Sequence, residues 1–150
     1  MNTKRVIGNG VLIFLGIGIY FLLMEALGLS REFYLRVLNL FIVIYGVNKT
    51  LRENIVSGVR GYNTNLLAAI TTSMAGAILS VSALLTYIYF KGGEVYLESL
   101  SDAFLFGGGK ASIYNYCTGL LFESVATSLI VSFCLMQYWK GKVENINIVD

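Results

Sequence analysis

The sequence predicts an all-α fold, a membrane-embedded four-helix transmembrane bundle. Three observations carry that prediction. Four long apolar stretches, roughly 6–27, 33–51, 66–90 and 113–139, occupy most of the 150 residues. About 20 mostly apolar residues suffice for one helix to cross a bilayer. The chain is 56% hydrophobic and only 13% charged, where soluble domains carry about 25% charged residues. A mean hydropathy of +0.70 points the same way. Four spans and their connections leave nothing for a separate soluble domain, so residues 1–150 read as one unit.

The first stretch opens with Lys4 and Arg5, followed by an apolar run over 11–24. No small-x-small cleavage site follows, and the run is long for the core of a signal peptide. It reads as a retained span, with Gly16 and Gly18 as its softest point. Proline is absent throughout, which favours continuous helices over the broken helices of many transporters.

The second stretch is the weakest. Only 37–47 is nearly uninterrupted, it contains Asn39, and Arg36 and Lys49 bracket it. Long basic side chains can snorkel to the headgroups and extend a short span. The competing reading is an amphipathic helix lying on the membrane surface, which leaves three spans. Residues 48–65 form a basic, polar linker with Gly58 and Gly61, and 52–56 can continue the second helix.

In the third stretch Ala69, Thr72, Ser73, Gly76, Ala77 and Ser80 fall at spacings of three and four. Such a ridge lets helices approach closely where lipid supplies no hydrophobic drive between them. The reading is bundle packing, with a homodimer face as the alternative. In the 91–111 connection, Val95, Leu97, Leu100, Ala103 and Phe104 approximate one helical face. A short interfacial helix near 94–106 is expected, ended by Gly107, Gly108 and Gly109. The alternative is an irregular loop on the headgroups.

The fourth stretch holds Glu123. Tyr116, Gly119, Ala126, Thr127, Ile130 and Cys134 share its face, while Leu121, Phe122, Val125, Leu129, Phe133 and Met136 lie opposite. The expectation is therefore that Glu123 faces protein or a wet cavity. A mid-membrane charge costs about 2.5–3.5 kcal/mol on insertion scales, so it must be paired, hydrated or protonated. Depth matching suggests a polar cluster of Glu25, Arg36, Asn39 and Glu123. Its two readings are a buried salt bridge that fixes helix register and an ion or ligand site.

Basic residues set the orientation, because they collect on the cytoplasmic side of short loops. One side holds Lys4, Arg5, Lys49, Arg52, Arg60, Lys140 and Lys142. The other holds Arg31, Arg36, Lys91 and Lys110, together with Glu32, Glu94, Glu98 and Asp102. Both termini are expected in the cytoplasm. A net charge of +2 does not suggest nucleic acid.

Signatures of chemistry are missing. The chain has no histidine, which excludes bis-histidine haem and histidine-zinc sites. Cys117 and Cys134 lie about 25 Å apart along one helix, beyond disulfide reach, and form no Cys-x-x-Cys. Gly109-Lys110-Ala111 lacks the rest of a phosphate loop, and Gly8-x-Gly10 is followed by Ile13 rather than a dinucleotide-binding glycine. Asn48-Lys49-Thr50 matches a glycosylation sequon on the side read as cytoplasmic. A membrane serine hydrolase would lack its usual histidine and a convincing lysine partner. No enzyme activity, cofactor or metal is expected.

Residues 48–90, with their basic linker, Gly58, Gly61 and the span opening Asn65-Leu66-Leu67-Ala68-Ala69, carry a resemblance. The last span, ending Gln137-Tyr138-Trp139-Lys140, fits it too. The layout resembles an uncharacterised family of small four-span bacterial inner-membrane proteins, a domain of unknown function. Members often have an acidic outer loop with a proline after the third span. Here Glu94, Glu98 and Asp102 are present and the proline is not. The resemblance implies a bacterial membrane protein and no known activity. Small multidrug transporters also have four spans and an acidic residue in the bundle, but theirs lies well inside the first span. The leading expectation is an accessory subunit or homo-oligomer, whose partners are the bilayer and other membrane subunits or itself. The alternative is a small proton- or cation-coupled transporter using Glu123.

Overall fold

A computed structural model describes residues 2–30, 33–101 and 112–143. Every element among them is helical: α1 (Thr3–Ala26), α2 (Phe33–Arg36), α3 (Asn39–Val56), α4 (Tyr62–Lys91), α5 (Glu94–Ser101) and α6 (Ile113–Val143). Three of these, α1, α4 and α6, are long and apolar enough to cross a membrane. At 1.5 Å per residue their 24, 30 and 31 residues give about 36, 45 and 46 Å.

The second apolar stretch departs from one simple helix. It is divided into α2 and α3 by a turn at Val37 and Leu38, where the amides of Val37, Leu38, Leu40 and Phe41 bond three residues back. The tighter 3₁₀ pattern carries the chain through without an exposed gap. Beyond Leu51 the helix continues through Arg52, Glu53 and Asn54 to Val56. That charged last third is why α3 lacks the apolar character of the other three long helices. In the 91–111 connection, α5 occupies Glu94–Ser101, and residues 102–106 of the expected interfacial helix lie outside the described residues.

Helix ends follow local chemistry. Asn2 caps α1, its Oδ1 accepting from the Lys4 amide at 3.2 Å. At the end of α3, Gly58 takes φ +77°, the Val59 amide bonds the Asn54 carbonyl and the Gly58 amide bonds that of Ile55. This is a Schellman stop, and its left-handed residue favours glycine. Gly28 ends α1 in the same way.

α4 is the hub. It packs on α1, α3 and α6, and carries α5 at its far end, while α3 also touches α1 and α6. The chain runs up and down, so the start of α1 lies with the ends of α3 and α6. This basic end holds Arg5, Arg52 and Lys140. One apolar core, built on Ile13, Val47, Leu51, Ala69, Val131, Met136 and Trp139, joins α1, α3, α4 and α6. A second joins α4, α5 and α6 at the far end through Ile88, Leu97, Ile113, Tyr116 and Cys117.

Candidate functional site

The small residues of α4 determine how closely its neighbours come. Ala69, Thr72, Ser73, Gly76 and Ala77 are buried and Ser80 is half-buried. Ile13 of α1 is fully buried and sits against two glycines. A Cβ on Gly76 would lie 2.7 Å from its Cγ2, and one on Gly46 of α3 would lie 2.7 Å from its Cδ1. Gly10 completes the contact, since a Cβ there would meet Ala75 Cβ at 2.9 Å. A single β-branched knob thus fills a hole that exists only because side chains are missing around it.

A buried polar chain crosses the same three helices. Asn9 Nδ2 donates to Thr50 Oγ1 at 3.1 Å and to Glu53 Oε2 at 3.1 Å. Thr50 and Thr72 share a hydrogen bond of 3.1 Å, and Thr72 donates to the Ala68 carbonyl at 2.8 Å. Thr50 Oγ1 also donates to the Gly46 carbonyl at 3.2 Å, so each threonine hydroxyl bonds both its own helix and the other's hydroxyl, with either one supplying the shared proton. Toward the basic end, Trp139 Nε1 donates to Asn48 Oδ1 at 2.8 Å. Asn65 Nδ2 donates to the carbonyls of Val59 and Gly61, binding the turn to the start of α4.

Three of the four residues expected to cluster sit at the far end, but in separate arrangements. Glu25 Oε1 pairs with Lys91 Nζ at 3.4 Å, and Tyr87 donates to Glu25 Oε2 at 2.5 Å. Arg36 Nη2 donates to Tyr116 Oη at 2.5 Å and lies over that ring. Asn39 Oδ1 is buried with no partner among the described residues. Arg36 and Asn39 share a cavity of about 40 Å³ with Tyr20, Met24 and Leu35, while Glu25 faces α4 instead. Tyr96 of α5 packs edge-on to Tyr87. Burial and the Glu25 carboxylate hold its hydroxyl protonated well above the ordinary tyrosine range.

Glu123 does not join them. It lies ten residues into α6, about 15 Å along it, and is exposed on the outer surface. Among the described residues it makes no hydrogen bond or ion pair. The face expected to turn inward is largely outward: Ala126 and Cys134 are exposed, and Ile130 is 62% exposed. Of that face only Tyr116 is buried, drawn in by Arg36. Met136, expected on the lipid side, is fully buried.

The inward face of α6 is built instead from Cys117, Ser124, Ser128, Val131, Ser132 and Leu135. Ser124, Ser128 and Ser132 recur every fourth residue on the side away from Glu123, where Ser128 and Ser132 are buried. Spaced small residues were the readable signal for this face. The outer seam around Glu123 also holds small or polar residues, namely Gly119, Ala126, Cys134 and Gln137. Phe122, at 71% exposed, and Phe133 flank it. Among the described residues no group of three or more acidic or cysteine side chains could hold a metal.

Comparison with protein-family models, curated proteins and solved structures finds no match to this chain.

Proposed function

We propose that this chain is a small polytopic membrane protein that works by helix–helix contact, as an accessory subunit or a homo-oligomer. The contact surface is the Glu123 seam of α6. One observation carries the reading: a carboxylate stands about 15 Å along an apolar helix, on its outer surface, without a partner among the described residues. Facing lipid there, it costs about 2.5–3.5 kcal/mol. A partner helix that donates hydrogen bonds to it removes much of that cost, and Gly119 and Ala126 let such a helix come close.

The seven basic residues at one end orient that end toward the cytoplasm of a bacterial inner membrane. In this arrangement α2 and α3 form the fourth crossing, with Lys49 and Arg52 reaching the headgroups. The alternative of a proton- or cation-coupled transporter needs a wet cavity reaching Glu123. The cleft at the basic end and the small cavity beside Arg36 and Asn39 are both lined by other residues.

The test is affinity purification of the tagged protein from native membranes in mild detergent, followed by native mass measurement and identification of the eluate. Wild type is expected with a stoichiometric partner or as a defined oligomer, and Glu123→Leu as a folded monomer. A wild type that elutes alone as a monomer overturns the contact reading and moves the weight to transport. Loss of transport in Glu123→Gln then becomes the decisive measurement.

A further inference from the structure

The basic end carries a cleft of about 640 Å³ between α1 and α3, lined by Arg5, Tyr45, Asn48, Lys49, Arg52, Glu53, Val56 and Ser57. Its volume falls within the range of small-molecule sites. Three cations surround it and only one carboxylate. That carboxylate is engaged, since Glu53 Oε2 accepts from Asn9 Nδ2 at 3.1 Å in the interhelical network. None of the three cations forms an ion pair among the described residues. Other basic side chains are better occupied. Lys91 pairs with Glu25, Arg36 binds Tyr116, Arg60 holds the Lys142 carbonyl, and Lys142 lies over Trp139.

The walls are positioned from within the fold. Arg5 Nη1 donates to the Glu53 carbonyl and to Ser57 Oγ, at the negative end of the α3 dipole. This fixes the guanidinium at the rim and leaves most of its five donors free. Tyr45, Lys49, Arg52 and Val56 are spaced four, three and four apart, so they share one face of α3. Opposite them, Val47, Thr50, Leu51 and Asn54 are buried against the bundle. The positive face therefore cannot turn inward for a partner.

We propose that this cleft binds a phosphate group, carried by the headgroup of an anionic phospholipid. Free phosphate offers the same chemistry, but the surroundings favour lipid. Phe41 and Tyr45 are 64% and 61% exposed and continue the Lys49 face of α3 toward the apolar half of the helix. Aromatic and apolar surface leading away from paired basic side chains is what a phospholipid presents in reverse: acyl chain, glycerol, phosphate. Basic pockets between helices on the cytoplasmic side bind such headgroups. The lipid source rests on the membrane placement above, while the phosphate chemistry rests on the cleft alone.

The experiment uses the purified full-length protein in mild detergent and counts lipid adducts by native mass spectrometry. Phosphatidylglycerol, phosphatidylcholine and inorganic phosphate are the three probes. Each basic residue near an anionic headgroup contributes about fivefold in affinity. Lys49→Gln/Arg52→Gln is thus expected to lose roughly thirtyfold for phosphatidylglycerol, with unchanged circular dichroism. Lys4→Gln/Lys140→Gln removes equal charge from the same end outside the cleft, and is expected to lose under threefold. If the first pair fails to fold, Arg52→Gln alone, an exposed position, carries the test with about a fivefold loss. Equal losses in the two pairs, or equal binding of phosphatidylcholine, overturn the proposal. Full displacement of the lipid by millimolar inorganic phosphate overturns the lipid source and assigns the cleft to soluble phosphate. Because the readout is adducts per chain, it is independent of the oligomer mass that tests the contact reading.

Discussion

Adding a single methyl group at Gly76 probes how the bundle is held together. In Gly76→Ala the new Cβ lies 2.7 Å from Ile13 Cγ2, 2.9 Å from Ile13 Cβ and 3.1 Å from the Gly10 carbonyl oxygen. Ile13 cannot turn aside cheaply, because a β-branched side chain in a helix has one strongly preferred rotamer. The helices must separate by several tenths of an ångström, which also loosens the Thr50–Thr72 bond one turn away. Overpacking of this kind costs about 1–3 kcal/mol. Alanine also raises helix propensity by up to about 1 kcal/mol over glycine, so a reference is needed. Gly8 has nothing within 4 Å of its Cβ position, and Gly8→Ala reports the propensity gain alone. Gly76→Ala is expected to be about 1–3 kcal/mol less stable than Gly8→Ala. Ile13→Ala removes the Cγ2 contact and is expected to reduce the penalty of Gly76→Ala by about 1 kcal/mol or more in a double-mutant cycle. The assay is unfolding in mixed micelles of rising dodecyl sulfate content, followed by fluorescence of Trp139. It is the sole tryptophan, and it bonds α6 to α3. Equal stability of the two alanine variants, or additivity within about 0.5 kcal/mol, refutes the reasoning.

Four further outcomes are expected. Thr72→Val keeps the side-chain shape, removes the interhelical hydroxyl and costs about 0.5–1.5 kcal/mol in the same assay. Asn54 is 1% exposed and neither end of its amide has a partner among the described residues. Asn54→Leu is therefore expected to leave stability equal or raise it by about 1 kcal/mol, and a larger loss counts against this placement. A maleimide should label exposed Cys134 before buried Cys117 in detergent, and equal rates count against this rotation of α6. Tyr96 has a raised pKa in the folded state, so its contribution holds below the unfolded value of about 10 and is lost as pH rises toward the folded one. Thermal unfolding above pH 10 should show this loss, and Tyr96→Phe should reduce it.

Helical class and three of the long apolar helices were legible in the sequence, although α4 begins at Tyr62 and α6 runs to Val143, each four residues beyond its apolar stretch. Run length and turn chemistry are local properties, and Gly28 and Gly58 stop their helices wherever those helices pack. The sequence also marked the spaced small residues of α4. It did not determine the rotation of α6. In a soluble helix, hydrophobic periodicity points to the core. Here the faces of α6 toward the bundle and away from it are both apolar, so that signal vanishes. Two seams of small residues run along α6, Gly119 with Ala126 and Ser124 with Ser128 and Ser132, and packing in the bundle buried the serine side. Glu123 was thereby left outside, while Arg36 went to Tyr116 and Glu25 to Lys91. The turn at Val37 and Leu38 has no glycine or proline to announce it. It lies where Tyr20 donates to the Leu35 carbonyl at 2.9 Å and Arg36 reaches α6. The cleft of Arg5, Lys49 and Arg52 likewise needed two helices, distant in sequence, to be laid side by side. Contacts between residues far apart in the chain choose among faces that local sequence leaves nearly equal in energy, and only the tertiary structure contains those contacts.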